Sequence, residues 1–404
     1  MIQSENFVIH FTIADNDFQE INGQLYSLQS NYGYAQSIID LAEYSLNLYL
    51  ENGWEYLPPD CDESITDLNS PDHCINFGGN ALYDIYISND GVGMVVPENP
   101  YSVLPYTGGY TSYMKISTLS NNYESLPSWS HHVVAHEVHH SIQLRYGYSV
   151  SGNPGNYMFN GWFFEQTATY MENVIYPGSI HLQTMLSNCE VTSPLTFPEY
   201  SIDYGYDLYQ YRSALWQKFL VESLGDSSII RLIWEEYGLQ YATGNTVSLF
   251  PIFDAAIHEV SDNNYSLSGA YNDYAVWKYF TGDRAIPEKY FLEADSYCTA
   301  STNSVENSPF FLLSDKGSSL FIQLITDFTS LFINISDEYL INMQHLLDNG
   351  IVNSSSIIED EYLLTLDNIS ESQGLSISTP YTGEIPQEIE IEILFDILLG
   401  DINL

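Results

Sequence analysis

The chain has 404 residues, 45% of them hydrophobic, with 9 Lys+Arg against 53 Asp+Glu and a formal net charge of −44. That length allows one large domain with a smaller companion, or two to three of medium size. The charge repels phosphate backbones and anionic lipid surfaces, so nucleic acid and anionic membranes are excluded as partners. With no apolar run approaching the roughly 18 residues of a membrane span, membrane insertion is not expected either.

The acidic count is ordinary; cations are what the sequence lacks, and the first is Lys115. Such a surface suits an extracellular or cell-surface protein in a salty medium. The segment Met1–His10 has neither a basic n-region nor an apolar h-region, so it reads as a mature start and not as a signal peptide. The surplus carboxylates make structural Ca²⁺ a possible second cation. Ser88-Asn89-Asp90-Gly91 and Asp203-Tyr204-Gly205-Tyr206-Asp207 fit calcium loops and ordinary turns equally well. The four cysteines, Cys61, Cys74, Cys189 and Cys298, form no C-x-x-C pair, which argues against a zinc-thiolate site. Their even number in an exported chain favours two disulfides over free thiols. Of the three possible connectivities, Cys61–Cys74 with Cys189–Cys298 is expected, because the first pair encloses a polar, turn-rich loop.

In chain order, residues 4–13 alternate with Phe7, Ile9 and Phe11 on one side and predict a strand. Residues 34–50 carry Ile38, Leu41, Ala42, Leu46 and Leu48 at helical spacing. Residues 51–80 are rich in Pro, Asp, Asn and Gly and predict a loop. Residues 81–87 and 110–116 predict two further strands, rich in β-branched and aromatic side chains. Residues 129–146 predict a helix capped by Ser128 and stopped by Gly147, and 161–175 a second helix ended by Pro177-Gly178. Helical patterns dominate 208–290. From about 299 to 395 short apolar runs, such as 320–325 and 330–335, alternate with Ser, Asn, Asp and Gly, the pattern of a small β-sandwich.

Five of the ten histidines fall within residues 131–140. His136-Glu137-Val138-His139-His140 is an H-E-x-x-H pattern. On an α-helix, residues four apart share a face, so His136 and His140 can hold one Zn²⁺, with Glu137 beside the metal as a base toward water. Val133, Val134, Val138 and Ile142 give this helix a face to bury, which an exposed, incidentally His-rich helix would not need. Other registers, with His132/His136 or with His139 as ligands, lack a Glu directly after the first ligand. A catalytic zinc needs a third protein ligand. Glu165 follows Trp162-Phe163-Phe164 and points inward, where a carboxylate without a cation is costly. Glu172, two helical turns on, could orient a liganding histidine from behind, or could simply lie in an ion pair or at the surface.

H-E-x-x-H on one helix, with a Glu on the next helix 165 − 140 = 25 residues after the second His, resembles the gluzincin group of metallopeptidases. Residues Trp162 to Glu172 are similar to the W-x-x-E-G-x-A-x-x-x-E helix of that group, with Gln166 where Gly is usual. Trp277-Lys278-Tyr279-Phe280-Thr281-Gly282-Asp283-Arg284 and Leu232-Ile233-Trp234-Glu235 resemble a family of secreted multidomain bacterial metalloproteases, and the resemblance covers about residues 5–298. It implies hydrolysis of peptide or protein substrates by metal-activated water, with Glu137 as general base. It also implies a Tyr or His donor to the oxyanion from a later helix. Tyr211 is the candidate, against Tyr204, Tyr206 and Tyr209 and against a structural role in a chain with 34 tyrosines. Carried over with it is the strand at 110–116 as the sheet edge along which substrate would lie.

The fold expected is α+β: a zincin-like catalytic domain over 1–298, with its sheet before about 127 and its metal helices and helical half over 128–298. A β-sandwich over 299–395 follows. The tail 396–404 has the look of a truncated dockerin-type calcium repeat or of a plain polar terminus. Two rivals stand beside the peptidase: a catalytically silent surface or scaffold protein, against which the intact Glu137 argues, and a zinc hydrolase of non-peptide substrates.

Overall fold

The computed structural model describes every residue except 62–63, 65, 71–72, 90, 119–128, 149–153, 243–246, 304–309, 314–315, 324–329, 336–340, 348–351, 358–360, 366–371, 379–388 and 396–404. It describes the backbone alone over 154–160 and over most strands beyond residue 304. Ser128, Asp90 and the tail 396–404 therefore lie outside the described residues. The protein is α+β, in two compact units: residues 1–181 with 230–252, and residues 182–229 with 253–404.

The first unit holds a mixed sheet. Its strands are β1 (Ile2–Gln3), β2 (Phe7–His10), β5 (Tyr83–Ser88), β6 (Gly93–Val103) and β7 (Tyr106–Ser117), in the order β1-β2-β5-β7-β6. β2, β5 and β7 run parallel, while β1 and β6 are antiparallel to their neighbours. This corrects one expectation. β7, which contains residues 110–116, is an interior strand, and β6 is the edge. Gly93, Pro97 and Pro100 hide β6 from sequence reading, and prolines are tolerated at an edge because the outward N–H has no ladder partner to lose. A hairpin of β3 (Phe18–Ile21) and β4 (Gln24–Ser27) lies between β2 and helix α1 (Tyr32–Glu51). Asn31 caps α1, its side chain accepting from the Tyr34 N–H at 2.8 Å.

Helix α2 (Trp129–Tyr146) packs against α1, β6, β7 and α3 (Pro154–Ile175). It is buried nearly all round: Val134, Ala135, Val138 and Ile142 are fully enclosed, each large aliphatic contributing about 1.5–3 kcal/mol by leaving water. α2 ends at Gly147 as expected, but for a steric reason. A Cβ at Gly147 would lie 2.7 Å from the Tyr241 ring. α3 begins earlier than the sequence pattern suggests, with Pro154 at its first position, where a missing N–H costs nothing. α7 (Ser228–Tyr241) returns to this unit and sets Trp234 against Phe163 and Phe164, ring centroids 4.8 Å away in each case.

The second unit contains α4 (His181–Ser187), α5 (Tyr209–Arg212), α6 (Leu215–Leu224), α8 (Leu249–Val260) and α9 (Leu267–Tyr279), with the unit boundaries falling within the ends of α4 and α8. It also contains two four-stranded antiparallel sheets. One has the order β13-β10-β15-β8 and the other β12-β11-β14-β9. Their strands are β8 (Phe310–Leu313), β9 (Ser319–Gln323), β10 (Ser330–Ile335), β11 (Ile341–Leu347), β12 (Val352–Ile357), β13 (Glu361–Thr365), β14 (Ser372–Ser378) and β15 (Ile389–Phe395). α9 packs on β11 and β14, with Tyr279 edge-on to Phe321 at 5.4 Å. The expected step at 298/299 thus falls inside this unit, whose helices and sheets share a core.

Both expected disulfides form, Cys61–Cys74 and Cys189–Cys298, 13 and 109 residues apart. No helix among the described residues is long and apolar enough to cross a membrane. On loop length, the longer bridge should stabilise by about 4–5 kcal/mol and the shorter by about 3 kcal/mol. Thermal unfolding with and without reductant, and of Cys189→Ser/Cys298→Ser, should show the larger drop for the longer ring; equal midpoints with and without reductant would contradict this. In each of the two clusters considered for Ca²⁺ one described side chain is engaged by the chain itself. Asp203 pairs with Lys316 at 2.8 Å and accepts from Ser201. Asn89 donates to Ser27 O at 2.7 Å and accepts from Thr118.

Candidate metal centre

Two ties fix α2 in place, and a third hydrogen bond extends one of them into the sheet. Ser141 Oγ donates to Tyr83 OH at 2.7 Å, Tyr83 OH lies 2.9 Å from Ser112 Oγ, and Tyr49 OH donates to Ala135 O at 3.0 Å. The helix then presents His136 and His140 on one face. His139 points the other way, fully buried, with both ring nitrogens unpartnered and its ring packed against Tyr49 and Trp54. Burial holds its pKa well below the usual value, so it is a neutral core residue. His132 Nδ1 bonds Ser179 Oγ at 2.8 Å. Burial pushes its pKa down to about 4. His132 and His136 both face Glu172, His132 from 4.0 Å, but among the described residues only the His136/His140 register meets a third group closely enough to share an ion.

That group is Glu165. Its Oε2 lies 3.2 Å from His136 Nε2 and 3.3 Å from His140 Nε2. Among the described residues, His136, His140 and Glu165 are the only three metal-ligating side chains brought close enough to share an ion. Ligand bonds of 2.0–2.2 Å around a tetrahedral zinc would set the donor atoms roughly 3.3–3.5 Å apart. The two distances observed are close to such edges.

The protons argue in the same direction. His136 Nδ1 faces Glu172 Oε1 at 2.9 Å and His140 Nδ1 faces Gln143 Oε1 at 2.6 Å. With Nδ1–H donating in each ring, both neutral imidazoles aim the Nε2 lone pair at the Glu165 carboxylate, an arrangement that requires positive charge between them. The pKa directions agree. Burial pushes His136 down, but Glu165 and Glu172 outweigh it and hold its pKa well above the usual imidazole range. Burial pushes Glu165 up, but His140 and His136 outweigh it and hold its pKa far below the usual carboxylate range. Either a proton or a metal ion can meet that demand, and a His₂Glu donor set is one that zinc accepts.

Glu172, almost fully buried, accepts from His136 and also from His181 Nδ1 at 2.6 Å. Burial alone would raise its pKa; these two imidazoles bring it below the ordinary value. The sequence singled out Glu172 but not its second partner, because His181 is reached only after the chain turns back beyond α3. Glu137 stands apart from the triad. It is buried, its Oε2 has no hydrogen-bond partner, and burial raises its pKa despite His136 and His140. The edge strand passes against it: a Cβ at Gly93 would lie 2.5 Å from Glu137 Oε1 and 2.7 Å from Val133 Cγ1. This glycine is required by close approach, a reason the sequence alone does not disclose. Tyr211 sits on α5 in the second unit, beside the fully buried Tyr209 and the exposed Tyr206, so its assignment rests on the resemblance alone.

Comparisons with known proteins add a boundary and no activity. The family of unknown function described as DUF6055 matches residues 94–243, a stretch that includes all of α2, α3 and α7. No curated protein matches the chain. One solved structure, that of AlgX from Pseudomonas aeruginosa, covers 35% of this chain and 45% of its own at 12% identity. The chain thus spans less than half of that protein, with a TM-score of 0.17.

Proposed function

We propose that the protein is a secreted zinc-dependent endopeptidase, built as a zincin-like unit followed by a β-sandwich. The metal is held by His136, His140 and Glu165. One observation carries the reading: two Nε2 atoms converge on one carboxylate oxygen at 3.2 and 3.3 Å, with a buried carboxylate, Glu137, whose Oε2 has no hydrogen-bond partner, one residue along. The two disulfides and the scarcity of cations fit an extracellular setting.

When bound, zinc would supply a lowered water pKa and a polarised scissile carbonyl. The rest falls to the chain. Glu137 Oε2 takes one proton from the attacking water and returns it to the departing amine nitrogen as the C–N bond breaks, while the water's oxygen becomes part of the new carboxyl group. Glu137 is suited to this because burial has raised its proton affinity and no neighbour occupies Oε2. Glu172 and Gln143 hold the two imidazoles in the tautomer that leaves Nε2 free for the metal. A donor to the oxyanion is still required.

The test is zinc content by elemental analysis together with cleavage of casein. About one zinc per chain with cleavage supports the reading. Zinc without cleavage favours a hydrolase of other substrates or a silent scaffold. No zinc after metal loading removes the site. Gly93→Ala supplies a second check. Its new Cβ must displace Glu137 and Val133, and misplacement of a reacting group by about 1 Å costs on the order of 100-fold. Zinc should stay bound while kcat/KM falls at least tenfold; an unchanged rate would show that Glu137 tolerates the shift.

A further inference from the structure

We infer that Gln143 is a positioning residue of this centre, joining the ligand His140 on α2 to the turn of α3 that carries the ligand Glu165. The inference rests on the metal-centre reading above. Gln143 is fully buried. Its Oε1 lies 2.6 Å from His140 Nδ1, while its Nε2 lies 3.0 Å from Phe164 O and 2.7 Å from Thr167 Oγ1. Phe164 and Thr167 bracket Glu165.

The direction of every bond in this chain is determined. Trp234 Nε1, which can only donate, points at Thr167 Oγ1 from 3.2 Å. Thr167 Oγ1 gives its one proton to a backbone carbonyl of its own helix, Phe163 O at 2.8 Å or Phe164 O at 3.3 Å, so its remaining capacity is as an acceptor. Phe164 O can only accept. Gln143 must therefore turn its NH₂ toward Thr167 and Phe164, which leaves its carbonyl oxygen for His140. His140 in turn must carry its proton on Nδ1 and present the Nε2 lone pair toward Glu165. Reversing the amide would set the Gln143 carbonyl oxygen against that of Phe164. Gln143 thus selects the ligating tautomer of one histidine and ties it to the helix of the third ligand. Glu172, itself on α3, makes the corresponding tie for His136.

Zinc affinity of the full-length protein by chelator competition, with thermal unfolding of the metal-free form, tests this. Gln143→Leu keeps the shape but has no acceptor, and zinc should bind about 10–100-fold more weakly. Gln143→Glu restores the acceptor and should recover at least half of that loss on a logarithmic scale. Thr167→Val, which leaves Gln143 in place without its anchor, should weaken zinc by a smaller factor and keeps the test available if Gln143→Leu does not fold. The metal-free melting points of Gln143→Leu and Gln143→Glu should not follow their zinc affinities, as they would if Gln143 only filled space. If wild type binds zinc and all three variants bind it as tightly, the inference fails and the metal centre stands. If wild type binds none, both fall together.

Discussion

The variant Glu137→Gln is expected to keep its zinc and to lose roughly 10²- to 10⁴-fold in kcat/KM, the range for removal of a positioned general base. The amide has nearly the same size and shape, so the space bounded by Gly93 and Val133 is kept. Glu137 takes no part in the His136–His140–Glu165 triangle, so metal content should remain at the wild-type level. What is lost is the oxygen that can accept a proton. The amide also removes a buried carboxylate with an unsatisfied oxygen, a costly group. The variant should therefore unfold at a temperature no lower than wild type, and somewhat higher if the metal-free forms are compared. Lost rate, retained zinc and retained stability together identify a base. Casein cleavage at the wild-type rate would remove Glu137 from the chemistry, and loss of zinc would make it a ligand.

The second large effect concerns the order of Glu165 and Glu172. Glu172→Ala should weaken zinc by about 10–100-fold, because His136 Nδ1 loses the acceptor that fixes its ring. The same change strands a buried donor on His136, at about 1–3 kcal/mol, and a part-exposed one on His181 that water can reach, so stability falls as well. Glu165→Ala should weaken zinc further than Glu172→Ala. It removes a ligand itself, and it removes the carboxylate facing both Nε2 atoms. The metal-free form should lose less stability in Glu165→Ala than in Glu172→Ala, since Glu165 is part-exposed and Glu172 is not. Chelator competition and metal-free thermal unfolding on the two variants give two rankings that run in opposite directions. A single shared ranking would contradict the separation of ligand from support.

What could be read from the sequence was what depends on nearby residues. Helix α2 was legible from its end signals, and the expected bounds of 129 and 146 are those of the structure. Glu165 was legible because three large apolar neighbours leave a carboxylate little choice but to face a cation. The edge strand was not legible: Gly93, Pro97 and Pro100 look like loop residues, and only pairing with β7 makes them a strand. Gln143 lay in view three residues from His140, but its meaning depends on Thr167 and Trp234, far along the chain. The division into units was hidden for the same reason. Nothing local in residues 182–229 or 253–298 tells that they share a core with the sheets that follow.

The first unit is discontinuous in sequence, and that sets an order of events during synthesis. Chains generally fold in the direction they emerge. Here the turn of α3 that bears Glu165 leans on Trp234, which is made only after residues 182–229, and those belong to the other unit. A nascent chain ending near His181 holds every proposed ligand yet lacks the indole that covers Phe163 and Phe164 and closes the hydrogen-bonded path to His140. The ligand set is thus translated well before it can be clamped, and the clamp arrives with the segment that reaches Ile252.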